Sequence, residues 1–223
     1  HNEVEKSLLL VFFLISDQHL ANLLVIKKTA AKSRIAGIGE CGFDFKSNLL
    51  DLNSVAFQRQ GAVFMQQVEL AKQLQLPLVL HLRARNHEET SLLHTTTANL
   101  LVQAGCSKAQ KVHLHCFTGL PSDLANWRKH FPSTYIGLSD KMGESRTAIL
   151  QNWDISLFLL ETDSPYLTPE VVRRYAQDRK LEAPPNSPFF LDFNLRKLAA
   201  FAPGVPERIL ARAQQANFRA LYQ

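Results

Sequence analysis

Leu76–His81 reads LPLVLH, an apolar run that ends on a metal-type ligand. A strand buried in a parallel sheet reads as a continuous hydrophobic run, and parallel α/β sheets carry their chemistry at the strand carboxyl ends. The same pattern recurs on either side, in Arg34–Glu40 (RIAGIGE), Val112–His115 (VHLH) and Leu157–Asp163 (LFLLETD). In chain order the four runs end on Glu, His, His and Asp. Four such ends on one rim would offer the hard and borderline donors that a divalent-metal hydrolase needs.

Helical patterns separate these runs. Val55–Leu74 places Phe57, Val63, Phe64, Val68, Leu70, Ala71 and Leu74 toward one side, as a helix packed on a sheet would. Further helices are expected at about Glu88–Ala104, Ser122–His130, Ser145–Leu150, Leu191–Ala200 and Pro206–Leu221, with residues 3–30 also helical. Strands are expected at Arg34–Gly39, Leu78–Leu80, Lys111–Leu114, Thr134–Leu138 and Ser156–Leu160. Strands alternating with helices imply right-handed βαβ units, hence an α/β fold with a parallel sheet. About five strands fall short of the eight in a complete (β/α)8 barrel. Pro184, Pro185 and Pro188 mark a loop rather than a linker, so residues 1–223 read as one domain.

Bulk properties narrow the setting. A formal charge of +5 and a pI near 9.2 suit a polyanionic partner or, equally, a solvated basic surface. Three cysteines form no disulfide framework, and an odd count fits a reducing compartment. The apolar run Leu8–Ile15 is far shorter than the ~20 residues of a spanning helix. It also follows an acidic opening, unlike a signal peptide. The expectation is an intracellular protein, cytoplasmic or nuclear, with no membrane association and no obligatory protein partner.

Each candidate site residue has a bland alternative. Glu40 follows Gly37 and Gly39, which allow close backbone approach, and precedes Gly42, read as the exit turn. It is either a carboxylate able to bridge two cations or a loop acid paired with a base. His81 is a ligand candidate with Arg83 two residues on, a guanidinium suited to a phosphate oxygen, or the two are a rim histidine and a surface ion pair. His113 and His115 share a strand face, His115 being the stronger ligand candidate and His113 a core or outer-layer group. Cys116 is disfavoured as a ligand beside carboxylates. Asp163 is suited to binding metal or polarising its water, whereas Glu161 would orient a ligand or pair with a base. Asp44 reads as a cap or outer-layer group, and Tyr166 as a platform for a substrate base or a core cap. His87 and His94 read as solvent-facing.

Together, GIGECGFDF, the Gln60 to Pro77 helix running into LPLVLHLR, HLHCFTG and LLETDSPYLTP resemble, in order and spacing, the TatD family of metal-dependent deoxyribonucleases. Asn186-Ser187-Pro188 is similar to that family's Asn-x-Pro, and Asn217-Phe218 also matches. The HLHCFTG form, with Phe131-Pro132 and Tyr135-Ile136-Gly137 after it, is most similar to an animal branch. The resemblance spans about residues 33–223.

It implies a TIM-like barrel of the metal-dependent hydrolase type, holding two divalent ions (magnesium, manganese or zinc) and cutting phosphodiester bonds in DNA or RNA. Glu40, His81, His115 and Asp163 would be the metal ligands, with Asp163 and Glu40 catalytic. The cations would lower the pKa of a bound water and clamp phosphate oxygens, and Asp163 would orient or deprotonate that water. Arg83 and Tyr166 would bind substrate, and His113 and Glu161 would stand behind the ligands.

The family's opening Asp-x-His-x-His is not found in this sequence, and His19 lies in a helical pattern. The implied architecture is therefore an incomplete TIM-like barrel with its first strands missing, a weakened first metal site and exposed sheet edges. Two other readings remain at this point. One is a relic without catalysis that binds nucleic acid or protein. The other is an amidohydrolase-type acyl or amide hydrolase.

Overall fold

The computed structural model describes residues 9–11, 35–140, 155–202 and 204–223. Among them, six parallel strands pair strictly in chain order: β1 (Leu9–Val11), β2 (Ile35–Asp44), β3 (Leu78–Arg83), β4 (Val112–Leu114), β5 (Thr134–Leu138) and β6 (Phe158–Leu160). The helices are α1 (Val55–Leu74), α2 (His87–Gln103), α3 (Pro121–His130), α4 (Glu170–Asp178), α5 (Leu191–Phe201) and α6 (Glu207–Tyr222). Among the described residues β1 and β6 end the sheet without meeting, so the architecture is an α/β barrel that does not close.

Local chemistry sets the elements. At the start of α1 the Ser54 hydroxyl accepts from the Phe57 N–H at 3.1 Å, and the helix stops at Gln75 in left-handed conformation. Phe64, Val68, Leu70 and Ala71 of α1 are buried, and the helix packs on β2. Asn86 caps α2 by accepting from the Glu89 N–H at 2.8 Å, while Glu88 and Glu89 suit the positive end of the helix. Ile38, Leu78, Leu80, Val112, Leu114 and Ile136 bring the strands into one apolar core. Each such side chain contributes about 1.5–3 kcal/mol of burial.

Strand β2 bends where it matters most. Its register against β3 shifts between Ile38 and Cys41, the segment that carries Glu40. A side chain at Gly39 would begin 2.4 Å from the Val79 carbonyl oxygen, so only glycine lets the two backbones approach there.

At the other end of the sheet, β6 finds side chains in place of a further strand. Asn217 of α6 donates to the Phe158 carbonyl at 2.7 Å, and the Leu160 N–H donates to Gln214 Oε1 at 2.9 Å.

Several expectations need correction. Residues 9–11 form a strand rather than part of a helix, and the remainder of 3–30 lies outside the described residues, as do His1, His19 and the expected helix at Ser145–Leu150. The described strands number six rather than about five. Strand β2 continues to Asp44, so Gly42 is inside it and not an exit turn. Strand β3 likewise runs on to Arg83. Residues Ile155–Leu157 form a 3-10 turn ahead of β6, and α4 was not anticipated. His87 is exposed as expected, but His94 is only 1% exposed. Phe117 and Trp127 pack on its ring, and the Trp127 indole N–H donates to its Nδ1 at 3.0 Å.

Candidate metal centre

Four strands deliver the ligand-type side chains: Glu40 from within β2, His81 from within β3, and His115 and Asp163 from just beyond β4 and β6, so the expected strand-end positions of Glu40 and His81 need correction. They meet at one imidazole. His115 Nε2 lies 3.2 Å from Glu40 Oε1 and 3.3 Å from Asp163 Oδ1. Strands β2 and β6 are four places apart, and at about 4.8 Å per place a flat sheet would separate them by roughly 19 Å. Both carboxylates can reach one nitrogen only because the sheet is curled. The other Glu40 oxygen stands 3.5 Å from His81 Nδ1, and His81 Nε2 is 3.3 Å from Asp44 Oδ2.

Behind His115 is a layer that fixes it. His115 Nδ1 pairs with Glu161 Oε1 at 2.7 Å, and the Cys116 N–H donates to Glu161 Oε2 at 2.8 Å. Asn194 of α5 donates to the Glu161 carbonyl at 2.5 Å, holding the backbone at the strand exit. The carboxylate occupies the space above Gly137, where a Cβ would lie 1.8 Å from Oε2. His113 is buried on the same strand face as His115. Its Nε2 lies 3.1 Å from Glu161 Oε1, off the ideal hydrogen-bond direction, and its Nδ1 is 2.6 Å from the Tyr222 hydroxyl.

Electrostatics follow from this packing. Burial works against charge on His115, but the Glu161 charge and hydrogen bonds with Asp163, Cys116 and Glu161 lift the imidazole above its usual range. Burial likewise works against charge on Glu161, and the charges and hydrogen bonds of His113 and His115 outweigh it, holding this carboxyl below the ordinary range. Burial raises the Cys116 thiol, which keeps it protonated and a poor ligand.

The donor set fits a divalent cation. Glu40, His81 and His115 can each turn one donor atom to within 4.8 Å of the others, and Asp163 forms a second such group with His115 and Cys116. An imidazole pinned at Nδ1 by a carboxylate and open at Nε2 is the usual arrangement of a metal-binding histidine. Mixed imidazole and carboxylate donors suit zinc, manganese or magnesium.

The surrounding rim is polar, aromatic and braced. Arg83 follows His81 by two residues on β3, so it shares that face, and it stands opposite Asp44 in the β2 register. The Asn186 amide donates to the carbonyls of Thr162, Tyr166 and Leu167, clamping the loop that carries Asp163. Tyr166 is 71% exposed and does not cap the core, while Phe189, three residues beyond Asn186, is 89% exposed. Sequence reasoning did not single out Tyr222 or Phe189. An aromatic pair directly after Pro188 in a proline-rich loop was a signal for Phe189. Tyr222 joins His113 across 109 residues of sequence, and nothing local announces that contact.

Comparison with known proteins identifies the family. The family model described as TatD related DNase matches residues 14–223. The chain is 30% identical over 202 residues to the 3'-5' ssDNA/RNA exonuclease TatD of Pantoea ananatis, covering 88% of this chain and 69% of that protein. It is 27% identical over 202 residues to the enzyme of the same name from Escherichia coli K12, with the same coverage. Among solved structures it is similar to the TatD homologue YJJV of Escherichia coli K12, with a TM-score of 0.67, 22% identity, and coverage of 93% of this chain and 71% of that one. A TatD-family hydrolase from Entamoeba histolytica gives a TM-score of 0.69 at 16% identity, covering 93% and 69%. The fold, the family model and these relatives lead to one conclusion: the chain belongs to the TatD related DNase family.

Proposed function

We propose that the chain is a metal-dependent nuclease that hydrolyses phosphodiester bonds in single-stranded DNA, with RNA as a second substrate. The observation that carries this reading is the convergence of Glu40 and Asp163 on His115 Nε2, with His81 alongside. The names of its relatives support the substrate class. The single-domain reading is kept for residues 1–223. Cys41, Cys106 and Cys116 are all free, which supports an intracellular setting, cytoplasmic or nuclear. Among the described residues no helix is long and apolar enough to cross a membrane.

In this reading Glu40, His81, His115 and Asp163 hold two divalent ions, magnesium, manganese or zinc. Bound there, the ions supply Lewis acidity toward water and toward the phosphate oxygens. Glu40 addresses His115 with one oxygen and His81 with the other, so it would serve as a ligand beside both imidazoles. Glu161 engages His115 at Nδ1, so Nε2 is the nitrogen that would serve as a ligand atom. Asp163 takes the proton of the attacking water. Arg83 holds a phosphate oxygen on the face of His81. Tyr166 and Phe189 offer exposed rings to unpaired bases beside the Asp163 loop.

The test uses purified protein, magnesium or manganese, a labelled single-stranded DNA and an RNA hairpin, with chelator as control. Cleavage should require the metal and fall by roughly 10²–10⁴-fold in Asp163→Asn, the usual worth of a positioned base. Binding without cleavage in every metal would refute the proposal. So would zinc-dependent hydrolysis of an amide without action on nucleic acid.

A further inference from the structure

We infer that Tyr222 is a positioning residue for the metal centre, acting through His113 and Glu161 to hold the His115 ring in place. The inference rests on the proposed metal reading. Tyr222 lies in the last turn of α6, and its ring reaches both β2 and β4. A Cβ on Gly37 would lie 3.3 Å from its Cε1, and the ring meets that of His113 edge-on at 6.1 Å. Its hydroxyl stands 2.6 Å from His113 Nδ1.

The contacts form one line. Tyr222 meets His113 Nδ1, and His113 Nε2 rests against Glu161 Oε1 at 3.1 Å. Glu161 is also engaged by His115 Nδ1 on Oε1 and by the Cys116 N–H on Oε2. With both oxygens engaged and His113 packed against it, the carboxylate cannot swing away. His115 is thereby held with Nε2 facing Glu40 and Asp163. Tyr222 thus steadies, three contacts away, the ring of a metal-ligand candidate.

Manganese binding, read by electron paramagnetic resonance on the full chain, tests this without any turnover. Removing a direct outer partner of a ligating histidine weakens metal binding by about 10–100-fold. Tyr222 acts two contacts further out, so Tyr222→Phe should weaken Mn²⁺ binding by roughly fivefold, the equivalent of one net hydrogen bond. In a Glu161→Ala background the same substitution should have no further effect, because the line is already cut. His113→Phe should reproduce the loss and be non-additive with Tyr222→Phe, which keeps the comparison open if one variant folds poorly. Unchanged Mn²⁺ affinity in Tyr222→Phe overturns the inference, as does a penalty that persists undiminished in Glu161→Ala. Wild-type protein that binds no Mn²⁺ would overturn the metal reading itself, a distinct outcome from a wild type that binds and a Tyr222→Phe variant that matches it.

Discussion

Gly137→Ala is the smallest change that should disable the layer behind His115. Gly137 is not among the glycines with positive φ, so alanine meets no backbone penalty there, and any cost comes from collision. The new methyl carbon would stand 1.8 Å from Glu161 Oε2, 2.2 Å from Cδ and 2.6 Å from Oε1. Restoring ordinary contact requires the carboxylate to retreat by roughly 1.5 Å. Its bonds to His115 Nδ1 and the Cys116 N–H, now 2.7 and 2.8 Å, would not survive that retreat. Hydrogen bonds to a charged group contribute about 1.5–3 kcal/mol each, and partial relaxation leaves an expected loss of about 2–4 kcal/mol. For a chain of this size that corresponds to a melting point lower by roughly 5–15 °C. Calorimetry on Gly137→Ala, with Glu161→Ala as background, separates collision from general strain. In the background variant the alanine should cost almost nothing, since the group it strikes is gone. A Gly137→Ala protein that melts within about 2 °C of wild type and binds Mn²⁺ normally would refute the picture of a locked carboxylate.

Two further outcomes are expected. Burial pushes His94 down to about 4 from 6.5 against the opposing charge of Asp123, so the unfolded chain binds more protons between those values. The stability this contributes is complete above pH 6.5 and erodes as the pH falls toward 4. The loss should be about 2 kcal/mol at pH 5, visible in urea midpoints, and a His94→Gln protein with the same slope would refute it. Phe189→Ala should weaken single-stranded DNA binding by about 5–150-fold, the range for losing one base–aromatic stack. Anisotropy showing equal affinity would remove Phe189 from the substrate path.

What the sequence made legible was set by contacts near in the chain. His115 could be placed at a strand end because it follows an apolar run, whereas His81, which also follows one, lies inside β3 because that strand continues to Arg83. The helix at Val55–Leu74 was readable from its apolar stripe. By contrast, α4 is only nine residues long, and of the apolar face formed by Val171, Val172, Tyr175 and Ala176 it buries only Ala176. Leu9–Val11 is three residues long inside a run whose composition suits either structure. His94 lies between Leu93 and Thr95, and its burial depends on Trp127 and Phe117 from elsewhere in the fold. The line from Tyr222 to Glu161 joins the end of the chain to its middle, and only the curled sheet brings them together. Asp44 reaches His81 because β2 continues through Gly42, a glycine that more often ends a strand.

The amides of Asn217 and Gln214 have a consequence for the protein's behaviour in crowded solution. An amide side chain has the same donor and acceptor as a peptide bond, so α6 presents β6 with two surrogates for a neighbouring backbone. The flank that would otherwise recruit extended chains is thereby made unreceptive by a helix, which cannot itself propagate a ladder. Loosening α6 would unmask the Phe158 carbonyl and the Leu160 N–H together, turning a quiet flank into a template for its neighbours.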